Sequence, residues 1–168
     1  ELPATLTLYI LGFDRVKNLN TVSSTVKKNL STYLSEYRII GDTVTIKDGF
    51  VVNIGIDFEI IILPNFNSSE VISRCITELQ SYFNIDNRTF NQPILLKELY
   101  INLDKINGVQ TVKDIQITNK TGVSLGYSEY AYDITGATQD NIIYPSLDPC
   151  VFEVKYPNTD IRGRAVSL

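Results

Sequence analysis

The chain has 168 residues, 43% hydrophobic and 20% charged, with a formal net charge of −4. That is an ordinary globular composition for one domain, or one domain with a small annex, and it can bury about 70% of its unfolded surface without metal or disulfide. There is no histidine, which removes the Ser-His-Asp and Cys-His arrangements and every His-ligated metal site, and the acidic balance argues against non-specific nucleic-acid binding.

Residues 6–13 (LTLYILGF) are leucine, β-branched and aromatic, and read as a short buried strand. Asp14 to Asn20 reads as a polar linker. Thr21 is placed to cap a helix that carries Val22, Val26, Leu30, Leu34 and Tyr37 at helical spacing, with Gly41 to end it. The period then changes to two. Thr43 to Lys47 is strand-like, and Asp48-Gly49 is a two-residue hairpin signal. From Phe50 to Leu63 the alternation is clearest: Phe50, Val52, Ile54, Ile56, Phe58, Ile60 and Ile62 share a face. The other face, with Val51, Asn53, Gly55, Asp57 and Glu59, reads as partly wet. Pro64 stops the strand.

Asn67 followed by Glu70 resembles a capping box and opens a second helix with Val71, Ile72, Cys75, Ile76, Leu79, Tyr82 and Phe83 as its apolar stripe. A loop over 84–92 leads to Pro93, suited to the first turn of a third helix. Leu96, Leu99, Leu103 and Ile106 carry that helix's buried face, and Gly108 fits a left-handed cap. Val109 to Thr118 returns to strand. After a turn at 119–122 come short alternating runs and half of the tyrosines, with 151–156 and 161–166 set to pair as a hairpin across 157–160. The expected fold class is α+β: a β-α-β-β-α-α-β unit over 1–118, its helices packed on a mixed sheet, then a β-rich C-terminal annex over 119–168.

Cys75 and Cys150 match no zinc or redox spacing. One disulfide is arithmetically possible, but two buried thiols acting as small hydrophobes is the preferred reading. No apolar run approaches the ~20 residues of a membrane span, and no signal peptide is visible. The absence of methionine suggests a piece of a longer chain. Asp57 and Glu59 could converge as an acid/base pair or metal clamp, though alternating acids on a strand face are ordinarily just solvated. The 84–91 run lacks the glycine and terminal acid of a calcium loop, and 120–122 lacks the Gly-rich segment of a phosphate loop. The sequons at Asn29, Asn67, Asn87 and Asn119 read as coincidence. No cofactor is expected.

Charge is unevenly spread. Basic residues predominate from Arg15 to Lys47, including Lys27, Lys28 and Arg38, and only acids occur from Glu129 to Glu153. Copies could therefore meet head to tail; ordinary solvated surface is the blander reading. Two readings also stand for Tyr127, Tyr130, Tyr132, Tyr144 and Tyr156. They suit protein–protein contact, and they equally suit the cover of a thin β core.

Four runs stand together in order and spacing: residues 33–38 (YLSEYR), 53–59 (NIGIDFE), 144–149 (YPSLDP) and 155–161 (KYPNTDI). With them the chain, from about Thr21 onward, resembles the C-terminal part of the baseplate wedge ring protein of T-even-like contractile-tailed phages, within the broader baseplate J-like group. The resemblance implies a structural virion protein of the tail baseplate and not an enzyme. It would be assembled in the host cytoplasm, without cofactor or catalytic residues. The implied partners are copies of itself, as a homodimer or in ring contacts, and other baseplate wedge proteins, with no nucleic acid and no membrane span. The implied role is to close a ring around the central hub and take part in the rearrangement that triggers sheath contraction. Family members are several-fold longer than this chain. An alternative from another class is a ligand- or carbohydrate-binding virion module that uses the annex tyrosines. On the assembly reading the annex supplies much of the inter-subunit contact, and residues 1–118 are expected to fold without it.

Overall fold

The computed structural model describes residues 5–37 and 43–167. About 29% is helical and 35% is strand, in mixed sheets, so the chain is of the α+β class, as read from the sequence. It divides into two compact units with the boundary between Phe50 and Val51. The position expected for a boundary, 118/119, falls inside the second unit.

The first unit holds β1 (Thr5–Ile10), β2 (Gly12–Phe13), β3 (Leu19–Asn20), α1 (Ser24–Ser35) and β4 (Thr43–Asp48). The segment read as a linker is a tight antiparallel hairpin of β2 and β3. Asp14 closes it, because its Oδ1 accepts the amides of Val16 and Asn18, both at 2.9 Å. α1 starts at Ser24, later than expected. Ser23 rather than Thr21 is the cap, its Oγ accepting the Val26 amide at 3.4 Å. The expected stop at Gly41 lies outside the described residues.

β4 runs parallel to β1, in register from Thr5↔Thr43 to Ile10↔Asp48, with α1 as the crossover. This overturns the hairpin expected at Asp48-Gly49. Gly49 does not take the positive φ such a turn needs. Its amide donates to the Ile10 carbonyl at 3.0 Å, and the Asp48 carboxylate accepts from the Val22 amide and the Lys27 ammonium. Nor is β1 the buried strand expected: Leu6 is 57% exposed, and Gly49 alone is buried among this unit's described residues.

The second unit is built on β5 (Phe50–Ile62). It is followed by α2 (Ser68–Tyr82), β6 (Ile94–Leu95), α3 (Leu96–Asp104), β7 (Val109–Asn119), β8 (Thr138–Gln139), β9 (Ile142–Ile143), β10 (Cys150–Glu153), a single turn α4 (Pro157–Asp160) and β11 (Ile161–Ala165). β7 lies antiparallel along one edge of β5, from Ile54↔Asn119 to Ile62↔Val109, with two register shifts. β11 lies parallel along the other, from Ile161↔Ile56 to Ala165↔Ile60. β10 also bonds to β5. The expected hairpin of 151–156 with 161–166 is therefore absent. The α4 turn, held by the Tyr156 amide donating to Asp160 Oδ2 at 3.0 Å, carries the chain past that pairing and back onto β5.

The even face of β5 is the core: Val52, Ile54, Ile56, Phe58 and Ile60 are at most 1% exposed. α2 lies against β11 and α3, and α3 against β7. Asn67 caps α2 as expected, accepting the amides of Ser69 and Glu70. The Glu70 side chain pairs with Arg74 one turn on. α3 begins three residues after Pro93, because Ile94 and Leu95 are taken by β9 in a small sheet with β8. Gly108 serves the turn into β7 rather than the helix cap, which is Lys105. Its φ is +104°, and a Cβ there would lie 2.6 Å from Val71. Cys75 and Cys150 are both buried free thiols, and burial pushes the Cys75 thiol up to about 11.

Candidate interaction surface

The chain after β7 folds over the odd face of β5, and two asparagines fasten it there. Asn53, expected on a partly wet face, is 1% exposed. Its Oδ1 accepts the Ser128 amide at 2.7 Å, its Nδ2 donates to Glu153 at 2.8 Å, and its carbonyl accepts from the Lys120 amide and from Asn119 Nδ2. Asn119 Oδ1 in turn accepts the Tyr132 amide at 2.9 Å. A buried side-chain amide with its donors and acceptors engaged fixes the path of the loop it binds. Neither asparagine announced itself, since Asn in an alternating strand reads as solvent-facing.

The five annex tyrosines sit in this layer. Tyr127 donates to Asp160 Oδ1 at 2.6 Å, Tyr132 to the Tyr144 carbonyl at 2.6 Å and Tyr130 to Ser146 at 3.3 Å. Tyr127 meets Tyr156 edge-on at 5.4 Å between centroids, Tyr130 stacks on Tyr132, and Tyr132 tilts onto Phe152. Burial and the Asp160 carboxylate push the Tyr127 phenol up to about 12. Tyr144 and Tyr156 keep the most surface, 46% and 38%. Of the expected acidic run, Glu153 is buried, while Glu129, Asp133, Asp140 and Asp148 are exposed, Asp133 also accepting the Gly136 amide of its own turn. In the first unit Lys27 pairs with Asp48, and Lys28 is exposed on α1. Arg38 lies outside the described residues.

Beyond the loop that covers Asn53, the odd face of the sheet is open and charged. It carries two rows across three strands, Arg162–Asp57–Gln116 and Arg164–Glu59–Asp114. They floor a cavity of about 350 Å³. Glu59 accepts Nε of Arg164 at 2.9 Å and also its Nη2, with Lys113 at 3.7 Å. The Arg164 hydrogen bonds hold its carboxyl below the usual range. Asp57 and Glu59 thus belong to a charge ladder, and Glu59 is kept as the carboxylate. The arginines of β11 were not singled out in the sequence. The available signal was Arg-Gly-Arg in a short alternating run.

Among the described residues no three His, Cys, Asp or Glu side chains gather as a metal site requires, and no helix is long and apolar enough to cross a membrane. No protein-family model matches the chain, and no curated protein matches it in sequence.

Proposed function

We propose that the chain is an assembly module of a virion, a structural part of a contractile-tail baseplate wedge. Its surfaces are completed by copies of itself and by other wedge proteins, in contacts that close a ring around the hub and shift when the sheath contracts. The runs at 33–38, 53–59, 144–149 and 155–161 carry the resemblance on which the identity of the assembly rests.

The observation that carries an assembly role is the state of the first unit. Parallel sheets are ordinarily covered on both faces, yet Gly49 alone is buried among the first unit's described residues. Leu6, Phe13, Val16, Val26, Tyr33 and Tyr37 are between 52% and 74% exposed. Apolar surface of that kind fits a site that a neighbour covers. The alternative, ligand capture by the annex tyrosines, has less support, because Tyr127, Tyr130 and Tyr132 already engage their hydroxyls within the chain.

The test is the solution mass over a wide range of concentration, followed by co-expression with wedge proteins of the same phage and pull-down. Concentration-dependent dimers or larger species, and capture of a wedge protein, are expected. A strict monomer that captures none would overturn the proposal.

A further inference from the structure

The two edges of the main sheet are finished differently. On the β7 side, α3 closes the edge: the Val112 amide donates to Asp104 at 2.9 Å and the Ile115 amide to the Tyr100 hydroxyl at 3.1 Å. On the β11 side nothing comparable occurs among the described residues. The Val166 amide donates to the Ile60 carbonyl at 2.9 Å. Alternate residues of a strand face the same neighbour, so Arg162 and Arg164 turn their backbone groups to β5, while Gly163 and Ala165 turn theirs away. Among the described residues no further strand pairs with β11.

The side chains beside this edge are also unfinished. Arg164 places Nε and Nη2 on Glu59, and Arg162 places Nε on the Thr159 carbonyl at 3.0 Å. That leaves Nη1 of Arg164 and both Nη groups of Arg162 for a further acceptor. Each arginine ends its row, with an acid on the β5 side only. A second copy of β11 is a poor occupant. Paired antiparallel about Gly163, it would set Arg162 opposite Arg164, like charges directly across. A strand with acids at alternate positions would instead continue both rows as acid, arginine, acid.

From this we infer that β11 is a strand-addition site for an extended acidic segment of a neighbouring protein, bound by backbone hydrogen bonds at Gly163 and Ala165 and by Arg162 and Arg164 at its side chains. The inference rests on the assembly reading and names the chemistry of one partner. Arginines that merely guard the edge against pairing would bind no strand at all, so the two roles separate cleanly.

The probe is a labelled extended peptide with glutamate at every second position, compared with the same peptide carrying lysine there. Against the full chain the glutamate peptide is expected to bind at least about tenfold more tightly, more weakly as salt rises. The Gly163 and Ala165 amides should shift and exchange more slowly, and methylating the peptide's alternate amides should abolish binding. Arg162→Glu with Arg164→Glu should reverse the preference, and should that pair fail to fold, Arg162→Gln with Arg164→Gln should erase it. No binding, or a preference untouched by these changes, would overturn the inference. Chain mass measured in the same samples keeps the two ideas apart. Peptide binding by a strict monomer upholds the site and counts against self-assembly, whereas self-association without peptide binding does the reverse.

Discussion

Gly163 sits where the Phe58 ring crosses β11, and a Cβ added there would overlap ring atoms. Its φ is not positive, so close approach and not backbone freedom requires the glycine. Gly163→Ala is expected to cost about 1–3 kcal/mol, read as a lower urea midpoint at unchanged slope. Combined with Phe58→Leu, the loss should be smaller than the two single losses added, since the methyl would occupy space the ring has left. Tyr127 gives a pH signature at the other end of the scale. Its phenol is raised to about 12 from an ordinary value of 10.0, so it stabilises the fold fully below pH 10 and that contribution is lost as pH rises through 12. Burial also raises the phenols of Tyr82, Tyr100 and Tyr132, so the readout is the difference in ultraviolet titration between the chain and Tyr127→Phe. That difference should isolate one phenol ionising late, and Asp160→Asn should bring it down. A Tyr127 that titrates with the other tyrosines would contradict the hydrogen bond to Asp160.

At the scale of elements, β5 holds the second unit together. Ile56 is fully buried at its centre, and Ile56→Asp would strand a charge there at a cost of several kcal/mol, comparable with the ~5–15 kcal/mol of a whole domain. Loss of the cooperative thermal transition is expected. A variant that melts normally would mean that the face is misassigned. β5 and α2 were legible because their signals are local: a period of two in one case, an asparagine cap and an apolar stripe in the other. The misreadings share a different cause. Asp48-Gly49 has the chemistry of a hairpin, but β1, far back in the chain, offers a parallel partner that uses the same backbone groups. Pro93 suits a helix start, but β9 claims the two residues that follow. Asn53 looks wet until a loop from beyond residue 119 covers it. The edge arginines escaped notice because an edge exists only once the sheet order is known. Propensity describes a segment, and these outcomes were decided by partners distant in sequence.

For the molecule as a whole, β11 makes the C-terminal segment part of the sheet and not an accessory to it. A fragment ending at residue 118 would lose β11 and the loop over Asn53, exposing one edge and one face of β5. It is expected to be unfolded or aggregated, contrary to the sequence-based expectation that 1–118 folds alone. A fragment over 51–168 should keep a cooperative melt and dispersed amide spectra. Should 1–118 fold and 51–168 fail, the division at Phe50 is not the energetic one. The pairing of β11 with β5 also sets a clock. Glu59 and Arg164 stand 105 residues apart, so at ~5–20 residues per second the ribosome needs about 5–20 s between making one strand and making its neighbour. Through that interval an isoleucine-rich edge stands open, of the sort that recruits identical strands from nearby nascent chains. Yield in the cell should therefore follow the race between translation and aggregation more closely than it follows the stability of the finished fold.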